Sequence, residues 1–94
     1  MTATLDAIAT EIIREQARVI GPLAWSEAKK VSGLSVTNDI TAHILEESDQ
    51  KAVVDQLVAQ YERLFGRASH EVCKEAAASL VAQLQPAEVP ASLR

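Results

Sequence analysis

Apolar positions along the first twenty residues recur at the spacing of one helical face. Leu5, Ile8, Ala9, Ile12, Ile13, Gln16, Val19 and Ile20 trace it, which predicts an amphipathic helix from about Thr4 to Ile20. Glu11 with Arg14 and Glu15 with Arg18 sit three apart on the polar side, and Thr2 or Thr4 can cap the start. Gly21-Pro22 then breaks the pattern. Glycine suits the position just past a helix and proline the first position of the next, so a second helix is predicted from Pro22 to about Val31. Its inward residues are Leu23, Ala24, Ala28 and Val31, with Trp25 at the edge of the stripe.

Ser32-Gly33-Leu34-Ser35-Val36 reads as a loop whose Leu34 and Val36 plug into the core as a short extended piece lacking a strand partner. Thr37 or Asn38 is expected to cap a third helix reaching about Glu47, with Ile40, Ile44 and Leu45 inward. Ser48 or Asp49 caps a fourth from Gln50 to Phe65, striped by Val53, Val54, Leu57, Val58, Tyr61, Leu64 and Phe65. Gly66 closes it. Ser69 is expected to cap a fifth from His70 to Leu84, carrying Val72, Cys73, Ala76, Ala77, Leu80, Val81 and Leu84. The expected fold class is therefore all-α: a compact bundle of about five short helices over residues 1–85, then a proline-containing C-terminal tail over residues 86–94 in which Val89 and Leu93 pack locally.

Composition narrows the classes of function. A chain of 94 residues supports one core, and a hydrophobic content of 48% with a net charge of −4 lies outside the disordered regime. Nine basic residues face thirteen acidic ones, and the adjacent basic pair is Lys29-Lys30. Nucleic-acid binding needs a basic face that displaces counterions from phosphates, which here would require Arg14, Arg18, Lys29 and Lys30 to converge. Cys73 is alone, which excludes an intrachain disulfide framework and fits a reducing compartment. The start lacks the basic and apolar regions of a signal peptide, and no apolar run approaches the length of a membrane span. A cytoplasmic location is expected.

Few residues suggest chemistry. His70 and Cys73 lie three apart, the minimum for an activated thiolate, but no orienting third group accompanies them. The favoured reading is a solvent-facing histidine near a helix start and a buried cysteine acting as a small hydrophobe. Histidine phosphotransfer, through His70 or His43, is the alternative from small helical bundles; Glu75 after Lys74 and Glu46 after His43 put negative charge where a phosphoryl group needs a cation. Glu46, Glu47 and Asp49 lack the glycine turn and alternating ligands of a calcium loop. Neither a metal nor a cofactor is expected, nor an enzymatic activity.

The segment Val19-Ile20-Gly21-Pro22-Leu23-Ala24, leading into a helix with Lys29-Lys30, resembles a small helical module found attached to bacterial signalling proteins, in which an Ile-Gly-Pro-(Ile/Leu/Met)-Ala motif opens a helix. The resemblance covers roughly residues 12 to 60 and departs after Val31, where Ser32 to Val36 insert a loop. It implies an association element of the kind that accompanies serine/threonine kinases, cyclases and regulatory domains. The resulting expectation is a non-catalytic interaction or regulatory module, working through an apolar helical surface as a homodimer. Ile8, Ile12, Ile13 and Val19 on the first helix are its expected interface, with Trp25 beside the Gly-Pro corner, which fits either a core plug, the favoured reading, or an interface anchor. A phosphotransfer protein and a small nucleic-acid binder are the alternatives.

Overall fold

The computed structural model describes residues 4–94. Thr2, one of the two candidate caps, lies outside the described residues. Four α-helices and one two-stranded sheet follow in the order α1 (Leu5–Ile20), α2 (Leu23–Ala28), β1 (Leu34–Thr37), β2 (Thr41–Ile44), α3 (Gln50–Phe65) and α4 (Arg67–Val81), with two 3₁₀ turns at Pro86–Glu88 and Ala91–Leu93. The chain is mostly helical, but it is not purely α and has four helices among the described residues, not five.

The long helices form where the periodic stripes lie. The Thr4 side chain accepts the Ala7 N–H at 3.1 Å and Asp49 accepts that of Ala52 at 3.2 Å, capping α1 and α3 as local chemistry demands. Gly21 ends α1 at φ 72 and ψ −157, a conformation essentially confined to glycine. The α4 helix begins directly after Gly66, earlier than the sequence pattern predicts. Ser69 therefore sits inside the helix, buried, and does not cap it.

The main correction concerns residues 34–44. The expected third helix does not form; Leu34–Thr37 and Thr41–Ile44 pair antiparallel in the register Leu34 with Ile44 and Thr37 with Thr41. The strand partner of Leu34 and Val36 is thus the very segment whose spacing predicts that helix. Asn38 (φ 53) and Asp39 (φ 54) are both left-handed, and the Ile40 N–H bonds the Thr37 carbonyl at 3.0 Å, which closes a tight turn of the type that matches strand twist. Asn and Asp tolerate this conformation better than other non-glycine residues. Leu34, Ala42 and Ile44 are buried and Val36 half-buried, while Ser35, Thr37, Thr41 and His43 face out, the alternation of a sheet with one covered face. Ile40, expected inside, stands exposed at the turn.

Two side chains of α1 close the outer edge of β2. The Asp6 carboxylate accepts the Ile44 N–H at 2.9 Å. The Thr10 hydroxyl accepts the Ala42 N–H at 3.0 Å and shares its own proton between the carbonyls of Asp6 (2.9 Å) and Ala42 (3.2 Å). A strand edge that would otherwise leave buried amide groups unpaired is thereby satisfied by a helix.

One core unites these elements. Ile8, Ile12 and Ile13 of α1, Val54, Leu57 and Tyr61 of α3, Cys73 and Ala77 of α4, and Ile44 of β2 are essentially inaccessible to solvent. Gln16 crosses it, donating from Nε2 to the Ser69 carbonyl at 2.9 Å and to the Cys73 Sγ at 3.3 Å. The Tyr61 hydroxyl donates to the Ala24 carbonyl at 2.6 Å and joins α3 to α2. The last residues fold back on the helices, the turn at Ala91–Leu93 packing against α3 and α4. Val89, Pro90 and Leu93 are buried, Asp55 accepts both the N–H (3.0 Å) and the hydroxyl (2.6 Å) of Ser92, and His70 Nε2 lies 2.6 Å from the Ser92 carbonyl.

Candidate functional site

The five expected interface residues separate by depth. Ile8, Ile12 and Ile13 have no exposed surface, and Trp25 is buried among the core residues. Val19 is 69% exposed. The stripe on α1 is packed into the protomer's own core, and of the five expected residues Val19, near the C-terminal end of α1, is the one that presents substantial surface.

That end is shared by four elements. Gln16 ties the last turns of α1 to the first turn of α4 through Ser69, and Tyr61 ties the last turns of α3 to the first turn of α2 through Ala24. The corners Ile20-Gly21-Pro22-Leu23 and Phe65-Gly66-Arg67 consequently lie at the same end of the molecule. Leu23 (45% exposed) and Leu64 (46% exposed) join Val19 there, with Pro22 and Ala68 also open to solvent and Ile20 and Phe65 half-buried. Single exposed aliphatics are ordinary; the three at this end make it the candidate surface. Composition could not reveal this, because Val19 and Leu64 continue stripes that bury their other members.

The candidate chemical groups are committed elsewhere. Cys73 is fully buried, and desolvation pushes its thiol up to about 11, so it stays protonated and unreactive at neutral pH. His70 is half-buried, not a free surface histidine. Nε2 must carry the proton to bond the Ser92 carbonyl, and Nδ1 lies 3.3 Å from Glu62 Oε1. Neither nitrogen is open to a phosphoryl donor. His43, on the outer face of β2, has Nδ1 against Asp6 Oδ2 at 2.8 Å. Among the described residues no group of three His, Cys, Asp or Glu side chains gathers as a metal ion would require.

The basic residues expected to converge are each matched with a carboxylate: Arg14 with Glu11 (2.9 Å), Arg18 with Glu15 (3.1 Å), Lys29 with Asp39 (3.0 Å) and Lys30 with Glu27 (3.0 Å). Glu27, with little exposed surface, is held below its ordinary carboxylate range by hydrogen bonds from Lys30 and Gln60. Lys29 thus braces the hairpin tip, while Lys30 holds Glu27, whose other oxygen accepts from Gln60 of α3. No helix is long and apolar enough to cross a membrane among the described residues.

No protein-family model matches the chain, and comparison with curated proteins and with solved structures finds no match.

Proposed function

We propose that this chain is a non-catalytic helical interaction module, of the regulatory kind that its Ile-Gly-Pro-Leu-Ala corner resembles. The observation that carries the reading is the exposure of Val19, Leu23 and Leu64 at the end of the molecule where that corner lies, beside helices whose other aliphatics are buried or half-buried. Burying the exposed part of three such side chains contributes a few kcal/mol at roughly 25 cal/mol per Å², enough to anchor a contact once polar groups fix its register.

Photo-crosslinking in the native cell tests it. A crosslinking residue at Val19, Leu23 or Leu64 is expected to give discrete adducts, whereas the same residue at Ser35, on the outer face of the hairpin, gives none. Absence of adducts at all three end positions overturns the reading. Sedimentation of the purified chain at micromolar concentration then shows whether the partner is a second copy, the homodimer the sequence suggests.

A further inference from the structure

The hairpin has a second edge, and its hydrogen bonds show which backbone groups lie there. The Gly33 carbonyl accepts the Leu45 N–H at 2.9 Å, while the Ala42 and Ile44 N–H groups turn away from β1 to Thr10 and Asp6. In an antiparallel ladder this fixes the alternation. Ser35 and Thr37 bond to β2, whereas Leu34 and Val36, opposite Ile44 and Ala42, direct their backbone groups outward. The Leu34 N–H there reaches the Val31 carbonyl at 3.3 Å. The Leu34 carbonyl and both backbone groups of Val36 have no hydrogen-bond partner among the described residues. β1 carries neither a charge nor a proline, the devices that commonly keep a strand edge from pairing. What borders the edge is the end of α2. Val31 is tied to Leu34 at the start of the strand, and Lys29 Nζ meets Asp39 Oδ1 at 3.0 Å at the hairpin tip. These two contacts fall on either side of Val36 along β1.

We propose that the outer edge of β1 pairs with β1 of a second copy, and that the Lys29–Asp39 ion pair limits this pairing. Self-complementarity argues for that occupant. Twofold antiparallel pairing centred on Val36 lets the two Val36 residues exchange both N–H···O=C bonds. It sets Ser35 of each copy against Thr37 of the other, hydroxyl beside hydroxyl, and joins two half-buried valines on the opposite face. The paired strands bring no like charges together, and the two Asp39 tips point away from each other. Lys29 and Asp39 are each about half exposed, 53% and 50%, so their pair yields readily. This edge is separate from the surface of Val19, Leu23 and Leu64 and does not depend on the interaction reading. Four-residue strands bury far less than a stable interface needs, so the dimer belongs to high concentration and a crosslinker at Ser35 stays silent at the dilution of the cell.

Sedimentation equilibrium of the full chain, from micromolar to millimolar concentration, is expected to show a weak dimer, with amide exchange at Val36 slowing as it forms. Lys29→Ala is expected to tighten the dimer roughly three- to fivefold, the scale of an exposed ion pair. Asp39→Asn, which keeps a residue suited to positive φ at the turn, is expected to do the same. Val36→Pro removes the outward N–H and is expected to leave the fold intact and the chain monomeric, since that N–H bonds nothing within the protomer; Ser35→Pro removes an N–H that faces β2 and is expected to disrupt the hairpin. Lys29→Ala and Asp39→Asn chains that both stay monomeric at millimolar concentration overturn the proposal. So does a dimer that a folded Val36→Pro chain still forms, or one that Leu23→Ser dissolves instead, which would assign the contact to the apolar end. Exchange at Val36 that is no slower in the dimer than in the monomer overturns it as well, whether or not the proline variant folds.

Discussion

Substituting Thr10 by Val removes one hydroxyl and almost no volume, yet it should unlock the edge of the sheet. The hydroxyl is the acceptor for the Ala42 N–H at 3.0 Å and stands 3.2 Å from the Ala42 carbonyl, in a buried setting where water cannot easily replace it. Leaving such a backbone group unpaired costs about 1–3 kcal/mol. Native stability for a domain of this size is about 5–14 kcal/mol, so the loss is a sizeable fraction and should lower Tm by roughly 5–20 °C. Asp6→Ala removes the neighbouring acceptor, the one for Ile44 N–H, together with an acidic group in the first turn of α1. Because both side chains hold one strand, the double variant should be less destabilised than the sum of the singles. Urea titrations supply the energies, and amide exchange at Ala42 and Ile44 locates them. If Ala42 stays protected in Thr10→Val while stability is unchanged, the edge does not depend on this helix and the argument fails.

Other expectations follow from the same geometry. Gly33→Ala should destabilise the fold by about 1–3 kcal/mol or more, since φ is +86 and an added Cβ would lie 2.7 Å from Ser48 Oγ and 2.9 Å from Val53 Cγ2; unchanged thermal melting would contradict this. Cys73 should resist a thiol reagent at pH 8 in the native protein and react once urea unfolds it. Its folded value of about 11 lies above the ordinary 9.0, so the unfolded chain loses the proton first and stability should fall as pH rises from about 9 towards 11; Cys73→Ala should flatten that slope. Glu27 works in the opposite sense: its depressed value means stabilisation present above the ordinary 4.5 and lost as pH falls through the folded value, and Glu27→Gln should reduce the acid sensitivity of melting. Asp55→Ala should leave the Ser92 N–H without its acceptor and speed exchange at that amide, with smaller effects at Ala42.

Helices α1, α3 and α4 were legible because each buries a stripe whose period lies within its own residues, and Thr4, Asp49, Gly21 and Gly66 mark ends by local chemistry. The hairpin had a signal too. Leu34-Ser35-Val36-Thr37 and Thr41-Ala42-His43-Ile44 alternate on either side of Asn38-Asp39, a pair suited to positive φ. Over so few residues, Ile40 and Ile44 fit a helical spacing equally well, and nothing local separates the two periods. The choice rests on groups more than thirty residues away in sequence, Asp6 and Thr10, which satisfy the strand's outer amides.

Depth obeys the same division. Periodicity marks Ile8, Ile12 and Ile13 as a face to be covered, and it is silent on whether another chain or the protomer itself supplies the cover. Packing against the rest of the chain decides this, and leaves Val19, Leu23 and Leu64 outside at the helix ends. Charge is similar: residue counts establish an acidic chain, whereas the pairing of Lys29 with Asp39 depends on which elements meet. Local order is written into neighbouring residues by sterics and spacing, while surfaces belong to the assembled chain, because a side chain is exposed only when no distant segment reaches it.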